Sequence, residues 1–567
     1  MQRPTPAIVA QAAVRRLPRW AMALFCLAYA VPGFVGRAPW KSADMASFGY
    51  MLDMARGRTG WTDPRLVGLP PEADGLLPYW LGAACIRLLD GWLDPAAAAR
   101  LPFFLLLGLA MVATWYAVYE LARQPQAQPV AFAFGGEARP ADYARAIADG
   151  GVLALIACLG LAQLGHEATP SVAQLAFIAT AFFGLAALGY WRISGTLAAV
   201  AGLLGLALSG APSLAVLLGA GSLLVHAVAA PEGLSGASRW RVLGSIALAT
   251  LAAATLASVL DLWRWRILLP SDAGSRDWRN LGRLLLWFTW PAWPLALWTL
   301  WRWRARALAR APSLHIVLPL WFVLVCVGAT LTTRPSDRAL LLALPALATL
   351  AAFALPTLQR SVGALIDWFT LLFFTGCGAI IWVIWIGLQT GFPRQAATNA
   401  LRQAPEFEAT FSLPALLVAL LATVLWGWLV RWRVGRHRTA LWKSLVLPAG
   451  GAALCWLLLM TLWMPLLDYV RSYQSVAQKI VATVGTTGCV QEWGLTREQV
   501  AAIQYHAGYR VSASGPAVRC DWLILNPDPR LSLAIRLDDA LWDHVATIRR
   551  PSEKADDVVL FRRRTGS

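Results

Sequence analysis

AAARLPFFLLLGLAMVATWYAVYEL, residues 97 to 121, carries one arginine near its start and one glutamate near its end, with no charge between them. At about 1.5 Å per residue, a helix of this length crosses the roughly 30 Å hydrocarbon core of a bilayer. Comparable runs recur near residues 20–36, 151–165, 171–190, 195–210, 213–229, 242–260, 284–301, 314–331, 339–356, 364–388, 411–430 and 443–467. The chain is 567 residues long, 58% hydrophobic and only 14% charged, with 30 tryptophans, a composition unlike that of an ordinary water-soluble enzyme. The expected fold is an all-α polytopic membrane protein of about thirteen transmembrane helices, followed by a polar tail.

A net charge of +18 raises nucleic acid as a partner, but the placement of the charge argues against it. Basic residues gather in short loops: Arg15, Arg16 and Arg19; Arg239 and Arg241; RWRARALAR at 302–310; and RWRVGRHR at 431–438. If these loops are cytoplasmic, the excess is the positive-inside signal. Thirteen crossings from a cytoplasmic N-terminus put every one of these clusters inside and the C-terminus outside. The first run is not a cleaved signal, because Arg37 and Pro39 follow it with no small-x-small site before them.

Six cysteines stand singly in apolar runs, where a cysteine behaves as a small hydrophobe. Cys489 and Cys520 lie in the tail, and on the outer side of the membrane they can form a disulfide. The tail combines a helical pattern (LTREQVAAIQYHAG, 495–508) with short strand-like runs (DWLILN, DVVLF) and a turn (NPDP). The domain plan is therefore a membrane domain at 1–469, including an outer loop at 37–96, and a small α/β domain at 470–567. There is no Cys/His cluster of the kind that binds structural zinc.

With this topology, polar residues converge on the outer face from loop 37–96, from His166 and Glu167, from loop 261–283, and from TTRPSDR at 332–338. Asp44 opens DMASFGYMLDMARG (44–57), helical in pattern, with Asp44 and Phe48 on one face and Asp53 turned about 180° away. Asp44 fits two roles, a helix-capping acid or a reactive carboxylate. His166 and Glu167 also read as an interfacial loop pair, and Arg334 and Arg338 as cations snorkelling at a helix end. Arg264, Arg266, Arg276 and Arg279, interleaved with Trp263, Trp265 and Trp278, read as an amphipathic interfacial helix or as headgroup contacts.

An aspartate just after the first span, opening a juxtamembrane helix, resembles the acidic motif of the polyprenyl-phosphate-sugar-dependent membrane glycosyltransferases of the GT-C fold. Within that group the chain resembles the aminoarabinose (lipid A) transferases and the protein O-mannosyltransferases. Three further segments are similar in order: PYWLGAACIRLLDGWLDPAAAARLPFFLLLG (78–108), LAQLGHEATPSVAQLAFIATAFF (161–183) and TTRPSDRALLLALPALATLAAF (332–353). Three features depart from the pattern. Met45 replaces the glutamate that usually follows the aspartate, EADGLLPYW (72–80) lacks the expected lysine, and Ala339 stands where a tyrosine is expected. The chain resembles a divergent member.

The resemblance implies glycosyl transfer from a polyprenyl-phosphate-linked sugar to a lipid A-like glycolipid or a protein acceptor. The reaction would occur at the periplasmic face of a bacterial inner membrane, with the N-terminus cytoplasmic. Asp44 is then the candidate general base or acceptor positioner, and Arg334, Arg338 and Lys41 are candidates for the donor phosphate, whose departure needs cations rather than a proton. Glu167 is the candidate second acid beside His166, and Asp44 with Glu167 would share one cavity and hold a divalent metal ion. A lipid-linked-sugar flippase or transporter is the main rival, and a non-catalytic glycolipid-binding protein the third reading. Transporters keep ionisable groups near the bilayer midplane, whereas His226, His315 and Asp367 fall near span ends here.

Overall fold

The computed structural model describes residues 5–72, 75–229, 236–263, 275–333, 336–434, 440–485, 488–514, 520–527, 541–550 and 556–564. The calls on Arg264, Arg266 and Arg334 fall outside these residues. The chain divides into two compact units: one made of residues 1–34, 103–379 and 417–460, the other of residues 35–102, 380–416 and 461–567. Loop 37–96 thus clusters with the tail rather than with the apolar helices.

The first unit is built of apolar helices. Among the described residues, six helices are long and apolar enough to cross a membrane: Pro95–Ala122, Pro170–Ala187, Ala237–Val259, Leu314–Thr332, Arg360–Thr390 and Leu413–Val434. A seventh is added if Lys443–Leu459 and Met464–Arg471 count as one bent span. Arg192–Leu208, Pro212–Val228 and Leu344–Thr357 are apolar but shorter. Other expected runs are interrupted. Helix Arg19–Ala30 ends in a 3-10 turn at Val31–Gly33, the 151–165 run breaks at Cys158, and the 284–301 run breaks between Phe288 and Ala292.

Exposure separates lipid-facing from packed helices. Only 11% of the apolar window of Leu413–Val434 is buried and 22% of that of Arg360–Thr390, against 78% for Pro170–Ala187. Leu421 and Trp428 on the first of these helices and Leu365, Trp368 and Leu372 on the second are more than half exposed, a state that suits a lipid surround. Pro170–Ala187 packs against Arg192–Leu208 through small residues. A Cβ added at Gly184 or Gly202 meets the backbone nitrogen of Ala199 or Ala181 at 2.3 Å, the close approach by which helices in lipid gain dispersion energy. Ionisable groups on these helices are engaged at two places, while both ring nitrogens of the buried His315 have no hydrogen-bond partner among the described residues. Asp367 pairs with Arg433, and both ring nitrogens of His226 face backbone carbonyls, of Ser222 at 2.8 Å and Leu185 at 3.1 Å.

In the second unit, helix Ala43–Ala55 packs on helix Arg497–Ala502 of the tail. A Cβ on Gly49 would lie 2.5 Å from Cβ of Ala501, and Phe48 meets the Tyr505 ring edge-on at 4.8 Å. The second of these helices starts with a full capping box, Thr496 and Gln499 satisfying each other's backbone N–H groups. The tail carries a mixed five-stranded sheet of β1 (Cys489–Trp493), β2 (Arg510–Ala513), β3 (Trp522–Leu525), β4 (Trp542–Ile548) and β5 (Val558–Arg563), in the order β2-β1-β3-β5-β4. β1 is parallel to β2 and β3, while β5 is antiparallel to β3 and β4. Cys489 and Cys520 are disulfide-bonded with Cα atoms 5.6 Å apart, linking the starts of neighbouring strands. Closing a loop of 31 residues' separation stabilises the fold by about 4 kcal/mol in the chain-entropy account.

Candidate active site

Asp44 occupies the first turn of helix Ala43–Ala55, where a negative charge meets the positive end of the helix dipole. The helix carries no side-chain cap at Ser42. Asp44 instead reaches backward: its Oδ2 accepts from the backbone N–H of Trp40 at 3.0 Å and from Nη1 of Arg37 at 2.7 Å. Both partners of this ion pair are almost fully buried, at 2% and 1% exposure. A charge-assisted bond of this kind fixes where the carboxylate points.

Two further groups set the approach to Asp44. Arg100 donates to the carbonyl of Arg37, and the Arg37 guanidinium lies over the Trp40 ring at 4.6 Å. Asp468 accepts from the Trp40 indole N–H at 2.6 Å and from the Ala38 amide at 3.0 Å. Residues 37–40 are therefore clamped from two directions, and Asp44 is presented by a rigid segment.

Lys41 pairs with Asp556 at 2.7 Å. The same carboxylate binds Arg550 at 2.8 Å and accepts from the Tyr473 hydroxyl at 3.1 Å. Burial holds that phenol above its ordinary pKa, in the neutral, donating form. As placed, Lys41 ties loop 37–96 to the tail, and a phosphate role requires it to exchange this partner.

In the other unit the structure joins two residues that lie 171 positions apart. Nη2 of Arg338 contacts Oε2 of Glu167 at 2.7 Å, and its Nη1 donates to the Thr169 hydroxyl at 3.3 Å. Glu167 is buried at 3% side-chain exposure, while Arg338 keeps 18%. His166, the next residue, turns away from this pair. Its ring nitrogens face the carbonyls of Tyr29, at 3.1 Å, and Ala162, and the ring packs against Phe34 and Trp456. It is a packed, hydrogen-bonded imidazole rather than a companion ligand to Glu167.

Asp44 and Glu167 belong to different units, and each is already neutralised by an arginine. Among the described residues, no group of three His, Cys, Asp or Glu side chains is placed to hold a metal ion. The two carboxylates as placed, each paired with an arginine, do not make a divalent-cation site.

Arg37, Asp468 and Asp556 were not among the residues singled out by sequence. Arg37 and Asp468 had a signal: each is an isolated charge at the end of an apolar run.

No protein-family model and no curated protein sequence matches the chain. Solved structures do. The crystal structure of ArnT from Cupriavidus metallidurans bound to undecaprenyl phosphate superposes with a TM-score of 0.63, at 16% sequence identity, over 96% of this chain and 98% of that one. The same enzyme in its apo state gives 0.57 at 16% identity, over 96% and 97%. The fold is that of the GT-C membrane glycosyltransferases. The GT-C likeness extends through the apolar helices and the tail alike, since nearly the whole of each chain is covered.

Proposed function

We propose that this GT-C protein transfers a glycosyl group from a polyprenyl-phosphate-linked sugar to a lipid A-like glycolipid or another acceptor, at the periplasmic face of a bacterial inner membrane. The observation that carries the reading is the buried Asp44–Arg37 pair at the start of helix Ala43–Ala55. The GT-C fold supports it, and so does the undecaprenyl phosphate bound by the similar ArnT. In this reading the chain crosses the membrane thirteen times, with its N-terminus cytoplasmic and its tail periplasmic. Reporter fusions at residues 149, 310 and 567 test that orientation.

In the reaction, an acceptor hydroxyl oxygen bonds to the anomeric carbon as the bond from that carbon to the phosphate oxygen breaks. The electron pair leaves with the polyprenyl phosphate, so the leaving group needs positive charge rather than a proton. Arg334, Arg338 and Lys41 are the candidates for that role. Asp44 orients the acceptor hydroxyl and takes its proton late, when the oxygen has become acidic through bond formation. Arg37 keeps the carboxylate aimed.

The test is transfer of radiolabelled sugar from polyprenyl-phosphate donors to membrane acceptors, with purified wild type and Asp44→Asn compared. Loss of transfer in a variant that melts like the wild type supports the reading. Equal transfer in both makes Asp44 a purely structural helix-terminal acid and overturns its role.

A further inference from the structure

An open cavity of about 850 Å³ lies within the unit formed by the outer loop and the tail. Its walls carry Arg56, Arg58 and Arg65 from the outer loop and Arg510 from β2, with Asp53 and Asp63. The two aspartates are matched: Arg58 pairs with Asp53 at 2.5 Å and Arg65 with Asp63 at 2.8 Å. Among the described residues, the exposed side chains of Arg56 and Arg510 have no hydrogen bond or ion pair. Arg56 and Arg510 thus add positive charge to the wall of one hollow beyond the two arginines that its aspartates pair with. Arg56 by itself suits the C-terminal end of helix Ala43–Ala55, and Arg510 by itself suits the edge strand β2; neither reading accounts for both lining one hollow.

We propose that this cavity binds a phosphate group carried on a small hydrophilic body such as a sugar, with Arg56 and Arg510 holding the phosphate. The guanidinium fork matches phosphate oxygens in pairs. Gln504 and the outer edges of Asp53 and Asp63, which also line the hollow, accept and donate to hydroxyls. The site does not depend on the glycosyl-transfer reading. The same phosphate chemistry has two sources, a soluble sugar phosphate or the phosphomonoester headgroup of a lipid.

The test uses the full chain in detergent or in phosphatidylcholine nanodiscs. Glucose 1-phosphate is titrated calorimetrically as the soluble probe, and co-flotation with phosphatidylcholine vesicles containing phosphatidic acid serves as the lipid probe. Saturable binding that weakens about tenfold in Arg56→Gln and again in Arg510→Gln supports the site, since tenfold corresponds to one good charged hydrogen bond. The probe that responds names the source. Arg394→Gln/Arg402→Gln, two exposed arginines on another helix of the same unit, is the control. Equal weakening there reduces the effect to net charge and overturns the proposal. So does the absence of saturable binding of either probe, or binding indifferent to Arg56 and Arg510.

Discussion

Nη1 of Arg37 lies 2.7 Å from Oδ2 of Asp44, with both side chains sealed from solvent. A buried pair survives only while both members are present, because either charge alone is unsolvated. Arg37→Ala is therefore expected to cost about 3 to 5 kcal/mol of stability and to abolish transfer. Arg37→Met combined with Asp44→Asn should recover much of the stability and none of the activity. Thermal melts beside transfer assays check this, and a double variant no more stable than Arg37→Ala refutes the pairing argument.

Glu167 holds Arg338 by one ion pair, while Thr169 takes a second nitrogen. If Arg338 meets the donor phosphate, Arg338→Ala raises the donor KM by about tenfold or more, the worth of a charge-assisted contact. Glu167→Gln, which frees the guanidinium without removing it, shifts KM less and in the same direction. A pure kcat effect in both variants would place Arg338 outside donor binding.

With both carboxylates already neutralised by arginines, removal of divalent cations is expected to leave transfer within about twofold of the untreated rate. Assay after dialysis against EDTA decides it, and activity that returns only on adding a metal ion contradicts the expectation.

Gly49 sits where helix Ala43–Ala55 crosses helix Arg497–Ala502, and an added Cβ would fall 2.5 Å from that of Ala501. Gly49→Val is expected to destabilise by about 1 to 3 kcal/mol, the usual cost of overpacking. Gly49→Val combined with Ala501→Gly should be closer to wild type by thermal melting.

Burial lowers the His506 pKa from 6.5 to about 4, against a weaker upward pull from Asp94. Between those values the unfolded chain binds a proton that the folded chain does not. The stabilisation is therefore complete above pH 6.5 and is lost as pH falls toward 4. His506→Gln should flatten the Tm-against-pH curve in that window, and an unchanged slope assigns the pH response to other groups.

Much of the architecture was legible in the chain because lipid imposes a strong local rule. A crossing helix needs an unbroken apolar run, and among the described residues six of the expected runs, or seven with one bent pair, hold a helix long enough to cross. Helix Ala43–Ala55, with Asp44 in its first turn and Asp53 on the far side, followed from period alone. The interruptions at Cys158 and between Phe288 and Ala292 were not legible, since hydropathy does not register a local break that neighbouring helices support.

The pairings were beyond reach for a different reason. Glu167 and Arg338 stood out separately as polar residues at span ends, and only folding brought them within 2.7 Å across 171 positions. Lys41 looked free for a phosphate, and the tail, remote in sequence, supplied Asp556. His166 looked like a partner for Glu167 because the two are adjacent, yet its ring packs on Tyr29, Phe34 and Trp456.

By itself, then, the order of residues determined that the chain is a multi-pass membrane protein with a polar α/β tail, and that Asp44 opens a helix next to the first apolar run. These are consequences of periodicity and of transfer free energy, which act within one element. Tertiary structure alone decided which arginine neutralises which carboxylate, and that Arg56 and Arg510, far apart in the chain, face one hollow. Charges interact through distance in space, and distance in space is set by packing.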